Sequence, residues 1–177
     1  MSIAATSGVA VDFVLGGARS GKTRHALGLA QASGLAPVYV ATATAFDAEM
    51  TTRIDRHKAE RGPEWSSIEE PLELPCVLSE AARPERILLV DCLTLWLSNL
   101  LFAEREIEAA SALLVETLGH LAGPAILVSN EIGLGIVPDN ALARAFRDHQ
   151  GLLNQMVAKA ATRVTFVAAG LPLRLKG

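Results

Sequence analysis

Eight consecutive residues, Gly16, Gly17, Ala18, Arg19, Ser20, Gly21, Lys22 and Thr23, fill every position of the pattern G-x-x-x-x-G-K-[ST]. That pattern suits the binding of a polyphosphate. Glycines let the main chain curl so that successive N–H groups point inward, and the N-terminus of a following helix adds partial positive charge. Lys22 is then the residue that reaches the β- and γ-phosphates, and the Thr23 hydroxyl is a ligand for Mg²⁺. A carboxylate, Asp91, ends the apolar run at 87–90. Such a site holds its Mg²⁺, directly or through water, with an acid at the end of a buried parallel strand. Asp91 also precedes a helical pattern, so it suits a capping role as well.

Four histidines, His25, His57, His120 and His149, offer a second kind of chemistry. A neutral imidazole is abundant near pH 7, and its free nitrogen can attack phosphorus. His57 is followed by Lys58 and Arg61. On a helix His57 and Arg61 share a face, and two cations there would neutralise triphosphate oxygens as pyrophosphate leaves. The competing reading is a solvated helix face whose histidine has no role. His25, two residues beyond Thr23, suits either a nucleotide contact or helix packing. Asn130 and Glu131 follow another strand end and face the same crevice as Asp91, which suits a corrin-substrate or catalytic role. Asp139 and Asn140 suit the cap of the long helical pattern after them. Trp96 is read as a stacking ring or as a core or interface residue.

These groups need a scaffold, and the apolar pattern supplies one. Short apolar or β-branched runs predict strands at 11–15, 37–41, 65–70, 87–90, 125–129 and 164–168. Helical patterns at 21–32, 46–61, 71–82, 93–101, 107–121 and 140–162 alternate with them, punctuated by Gly and Pro. The alternation predicts a three-layer α/β domain with a mostly parallel central sheet, one domain over residues 1–177.

Composition narrows the function. A net charge of −3 with no basic stripe argues against nonspecific attraction to nucleic acid or an anionic membrane. The most apolar stretch, 87–102, is interrupted by Asp91 and Asn99 and is too short and polar to span a bilayer. Cys76 and Cys92 make neither a disulfide framework nor a zinc site, and residues 1–12 lack the features of a signal peptide. A reducing cytoplasm is the expected location.

Beyond the cradle come Ala41-Thr42, the run at 47–50 (DAEM), the run at 53–57 (RIDRH), the run at 91–97 (DCLTLWL) and the run at 128–144 (VSNEIGLGIVPDNALAR). In that order they resemble the adenosylcobinamide kinase/adenosylcobinamide-phosphate guanylyltransferase family over about residues 13–176. The SNE-x-G-x-GIVP-x-N segment is the most specific part. The resemblance implies a P-loop NTPase fold and two reactions. ATP or GTP donates its γ-phosphoryl to the aminopropanol hydroxyl of adenosylcobinamide. GTP then gives its GMP to the new phosphate through a GMP–histidine intermediate, with pyrophosphate released. It implies Lys22 and His57 as catalytic residues and a homotrimer. It further implies GTP contacts from this histidine's region and from Ala41, Thr42, Ala43 and Glu69, where Glu69 would accept from guanine N–H groups. The chain departs from some members in carrying Arg56-His57 where they have two adjacent histidines. A guanidinium has no free lone pair for attack, which leaves His57 in that segment. Without transfer through His57 the chain would be a plain small-molecule P-loop kinase. A nucleotide-dependent switch is the third reading, for which the sequence carries no distinct guanine-specificity motif or switch segment.

Overall fold

The computed structural model describes residues 9–43 and 62–177. The expected helix at 46–61, with His57, Lys58 and Arg61, lies outside the described residues.

Strand β1 (Val11–Gly16) is buried along its whole length. Helix α1 (Lys22–Ala32) follows the glycine-rich loop, and β2 (Ala36–Ala41) follows α1. Then come β3 (Ser66–Glu69), α2 (Leu74–Ala81), β4 (Arg86–Asp91), α3 (Leu93–Phe102), α4 (Ile107–Leu118), β5 (Ala125–Asn130), α5 (Ala141–Ala160), β6 (Arg163–Ala168) and β7 (Leu171–Lys176). Among the described residues the sheet has seven strands in the order β3-β2-β4-β5-β1-β6-β7. All pairs are parallel except β6 with β7.

Side chains alternate across each strand, and that alternation divides the core in two. Phe13, Val40, Leu88, Val90 and Leu127 pack beneath α2, α3, α4 and α5 with Leu78, Trp96, Leu114 and Leu153. Val14, Tyr39, Leu89, Ile126 and Val128 face the other way, onto Ala26 and Ala30 of α1. Helices on both faces of a mostly parallel sheet give the expected three layers.

The differences from expectation have local causes. The helix after the loop starts at Lys22, because Gly21 takes a left-handed φ of 93° and acts as N-cap. Helix α3 is buried within the chain itself through Leu93, Thr94, Trp96, Leu97, Asn99 and Leu100. Its apolar character therefore requires no partner subunit, and Trp96 is a core residue whose indole N–H donates to the Leu72 carbonyl at 2.8 Å. Strand β7 was not expected. Ala169 (φ 51°) and Gly170 (φ 81°) make a tight reversal with both φ positive, the geometry that suits a two-residue hairpin. Every residue of β7 is exposed, so no buried face marks it in the sequence, and Pro172 is tolerated because the strand is at the edge.

Candidate active site

Parallel strands bring their C-terminal ends to one rim, where β1 delivers the glycine-rich loop. The loop is shaped by backbone conformations few residues accept. Arg19 (φ 54°) and Gly21 (φ 93°) are both left-handed. A Cβ at Gly16 would lie 2.5 Å from the Ser20 Oγ and 2.5 Å from the Val167 carbonyl oxygen, so a larger residue would displace β6 or the loop. The Ser20 N–H donates to the Gly17 carbonyl at 3.2 Å, and the Gly170 N–H donates to the Ser20 carbonyl at 2.8 Å. The β6–β7 hairpin thus braces the loop from outside. Ala18 and Arg19 are exposed, and Ser20 is buried.

The Lys22 ammonium bends back over the loop and donates to the Gly17 carbonyl at 3.1 Å. The Thr23 hydroxyl, in the first turn of α1, donates to Asp91 Oδ2 at 3.1 Å. The Tyr39 hydroxyl donates to the same oxygen at 3.0 Å. Asp91 is not the cap of α3. Cys92 holds that position and its side chain makes no capping bond. Thr23 and Asp91 therefore pair a hydroxyl with a carboxylate oxygen, a hard-oxygen set suited to Mg²⁺, which takes few protein ligands and completes its shell with phosphate oxygens and water. The Ser20 hydroxyl is buried, has no hydrogen-bond partner among the described residues and lies against the place a Cβ at Gly16 would take. The Thr23–Asp91 pair fits a Mg²⁺–triphosphate on this loop.

Tyr39 was not read from the sequence. Its strand was visible, but a hydroxyl reaching across from β2 to β4 depends on the register Tyr39–Leu89 and Ala41–Asp91. Cys92, next to Asp91, is buried, and burial pushes its thiol up to about 11.

The remaining expected residues fall into two groups. Ala41, Asp91 and Glu69 end their strands at one level, in register Ala41–Asp91 and Ala41–Glu69. Glu69 is exposed on the edge strand β3. Four strand spacings separate β3 from β1, about 19 Å across the rim. Glu69 and the phosphate loop therefore cannot grip the same phosphates. Thr42 is fully buried and faces inward. Its hydroxyl donates to the Cys92 carbonyl at 2.7 Å and accepts from the Cys92 N–H at 2.9 Å. The Thr42 carbonyl accepts from Asn99 Nδ2 at 2.7 Å, and Asn99 also reaches the Pro71 carbonyl at 3.1 Å. Thr42 is thus a brace beneath the rim, with Ala41 and Ala43 half-buried beside it.

His25 lies beside the loop in a shallow depression with Gly21, Arg24, Gly28, Leu29 and Gly170. His120 interacts with the Glu116 carbonyl at 2.8 Å, and His149 lies 3.6 Å from Glu108. Asn140 caps α5, its Oδ1 accepting from the Ala143 N–H at 2.7 Å. Asn130 and Glu131 do reach the rim: Asn130 is in register with Gly16, and the Glu131 N–H donates to the Gly16 carbonyl at 3.2 Å.

Comparison with known proteins decides the family of a chain with this loop, Thr23–Asp91 contact and rim. The family model described as cobinamide kinase / cobinamide phosphate guanyltransferase matches residues 12–175. The chain belongs to that family. It is 52% identical over 168 residues to the bifunctional adenosylcobalamin biosynthesis protein CobP of Pseudomonas aeruginosa, covering 94% of this chain and 97% of that one. It is 38% identical to the bifunctional adenosylcobalamin biosynthesis protein CobU of Salmonella typhimurium, covering 92% and 98%. Among solved structures, one from Pyrococcus horikoshii shares the fold at a TM-score of 0.53 and 13% identity, covering 95% of this chain and 86% of that one. The family match runs through the loop, the rim and both faces of the sheet.

Proposed function

We propose that this chain phosphorylates adenosylcobinamide and then transfers GMP from GTP to the resulting phosphate, yielding adenosylcobinamide-GDP and pyrophosphate. The observation that carries the reading is the Gly16–Thr23 loop with Thr23 hydrogen-bonded to Asp91, in a chain whose family match covers residues 12–175. The residues of the whole chain, 1–177, act as one nucleotide-binding domain in this reading.

In the kinase step the loop's N–H groups hold the triphosphate, with Gly16, Gly17, Ala18, Arg19, Ser20, Gly21, Lys22 and Thr23 around it. Lys22, already folded over the loop, exchanges the Gly17 carbonyl for phosphate oxygens. Thr23 and Asp91 would hold Mg²⁺, which neutralises charge on the phosphates when bound. The acceptor's hydroxyl oxygen then bonds to the γ-phosphorus while the bridging P–O bond breaks, leaving the nucleoside diphosphate.

In the second step His57 takes GMP from GTP and passes it to the acceptor phosphate, with Lys58 and Arg61 balancing the departing pyrophosphate. Ala41, Thr42, Ala43 and Glu69 border the GTP. The inward-facing side chain of Thr42 limits it to a supporting part, and the exposed Glu69 carboxylate is the group suited to guanine N–H donors. The span of about 19 Å between Glu69 and the loop supports two nucleotide stations on one rim. No helix among the described residues is long and apolar enough to cross a membrane; the cytoplasm is the location this reading assigns. The exposed Phe102, Ile136, Leu171, Leu173 and Leu175 offer apolar surface that a homotrimer would cover.

Product analysis tests the proposal. Adenosylcobinamide and GTP should yield both GDP and pyrophosphate, with adenosylcobinamide-GDP accumulating. Nucleoside diphosphate without pyrophosphate would reduce the chain to a plain kinase.

A further inference from the structure

Strand β5 lies between the strand that ends in Asp91 and the strand that ends in the phosphate loop. Its last residue, Asn130, is in register with Gly16, and Val128 is in register with Asp91. Ile126 and Val128 belong to the core on the α1 face, whereas Ala125 and Leu127 belong to the opposite one. By that alternation Asn130 projects on the α1 face, with Asp91 and the loop. One strand spacing across and two residues along separate it from Asp91, about 8 Å between Cα atoms. A phosphoryl group with a hydrogen bond on either side spans a gap of that size.

The main chain of Asn130 is held from both sides by other side chains. Its N–H donates to the Thr94 hydroxyl at 2.9 Å, and its carbonyl accepts from Asn154 Nδ2 at 3.1 Å. Behind it the Ser129 hydroxyl donates to Asn154 Oδ1 at 2.8 Å. Gln150 Nε2 donates to the Ser129 hydroxyl at 3.0 Å and to Asn154 Oδ1 at 2.9 Å. Ser129, Gln150 and Asn154 are buried. A buried polar network of this kind fixes geometry at some expense in stability. What it fixes is the end of β5. The Asn130 side-chain amide, by contrast, makes no hydrogen bond among the described residues. It is a partly exposed group, free on the reacting side and clamped on the other.

We propose that Asn130 is a catalytic residue of the kinase step, its side-chain amide donating to an oxygen of the γ-phosphoryl group in transfer, and that Thr94, Asn154, Ser129 and Gln150 are the positioning residues that hold it there. The inference rests on the reading that the Gly16–Thr23 loop binds the donor triphosphate. In the step it serves, the acceptor's hydroxyl oxygen forms a bond to the γ-phosphorus. The bond from that phosphorus to the β–γ bridging oxygen breaks, its electron pair stays on the diphosphate, and the hydroxyl proton passes to water. Charge on the three equatorial oxygens must be met throughout, and a neutral amide donor meets it without attracting the triphosphate strongly beforehand.

The test uses the full chain with Asn130→Ala, Asn130→Asp and, as a control, Lys22→Ala. Thermal midpoint, dissociation constant for a non-hydrolysable β,γ-imido triphosphate, and kcat for adenosylcobinamide phosphorylation are measured for each. Loss of one preorganised donor lowers kcat on the order of 10²-fold, so Asn130→Ala should do so with the midpoint held and the dissociation constant within about threefold of wild type. The isosteric Asn130→Asp keeps the packing, replaces the donor by a negative charge and should be at least as slow. Either variant turning over at the wild-type rate overturns the proposal. A loss of triphosphate binding as large as the loss of kcat also overturns it, because the amide would then serve the ground state. If Lys22→Ala turns over normally, the loop reading itself falls. If Lys22→Ala is inactive while both Asn130 variants are normal, only the role of Asn130 falls.

Discussion

The two faces of the sheet are made from the same strands, one residue out of phase, yet they carry different cargo. Beneath α2, α3, α4 and α5 the side chains are large and fully buried: Phe13, Leu74, Leu78, Leu88, Trp96, Leu97, Leu114, Leu127 and Leu153. On the α1 face the buried contacts are smaller, with Ala26 and Ala30 meeting Val14, Leu89, Ile126 and Val128. The rim of that second face carries the polar groups to which the proposed chemistry is assigned: the Thr23–Asp91 contact, the Tyr39 hydroxyl and Asn130. One face supplies most of the apolar burial, and the other is left to hold polar groups at the rim. Stability and chemistry should therefore be separable by mutation.

The largest effect should come from the deep face. Trp96→Ala removes a fully buried indole and its bond to the Leu72 carbonyl, at a cost of about 3–5 kcal/mol in denaturant unfolding. Protein that remains folded should still bind triphosphate, since Trp96 packs in the core on the sheet face opposite α1. A Trp96→Ala chain that is fully folded but blind to nucleotide would break the separation. Lys22→Ala is the converse case. Its unfolding free energy should stay within about 0.5 kcal/mol of wild type, while kinase turnover falls on the order of 10²- to 10³-fold. A large loss of stability with turnover preserved would mean that the bond to Gly17, rather than phosphate, is what Lys22 is for.

A smaller effect sharpens the picture at the far end of α5. Asn140→Ala removes the side-chain cap on the Ala143 N–H and should cost about 1 kcal/mol. Because Asn140 is exposed and the anchors of Asn130 lie further along α5, at Gln150 and Asn154, turnover should change little. Thiol labelling gives the smallest signal. In the native state Cys76, exposed, should be alkylated before Cys92, which is buried with its thiol pushed up to about 11. Equal labelling would show that the rim beneath Asp91 opens readily.

Much of this arrangement was legible in the sequence because local signals agreed with the fold. The loop pattern, the apolar run before it and the acid after Leu89-Val90 each sit where the structure has them. The strand at 65–70 and the helices at 93–101 and 140–162 differ from β3, α3 and α5 only at their ends. What escaped depended on pairing. Strand β7 has no buried face, so its alternating leucines carried no burial signal. The Tyr39–Asp91 bond exists only because β2 pairs with β4 in one register. The network of Ser129, Gln150 and Asn154 joins residues over 20 positions apart through a sheet and a helix. The position of Glu69, at the far edge from the loop, likewise follows from strand order, which spacing along the chain does not reveal.

The central claim is that one chain carries out both phosphoryl and guanylyl transfer, the second through His57. The measurement that tests it most directly is the intact mass of the purified protein after incubation with GTP and Mg²⁺, for wild type and for His57→Ala. The account predicts a gain of one GMP in the wild type and none in His57→Ala, with phosphorylation of adenosylcobinamide retained in that variant. No adduct on a wild-type chain that demonstrably binds GTP, or an adduct that persists in His57→Ala, would contradict it.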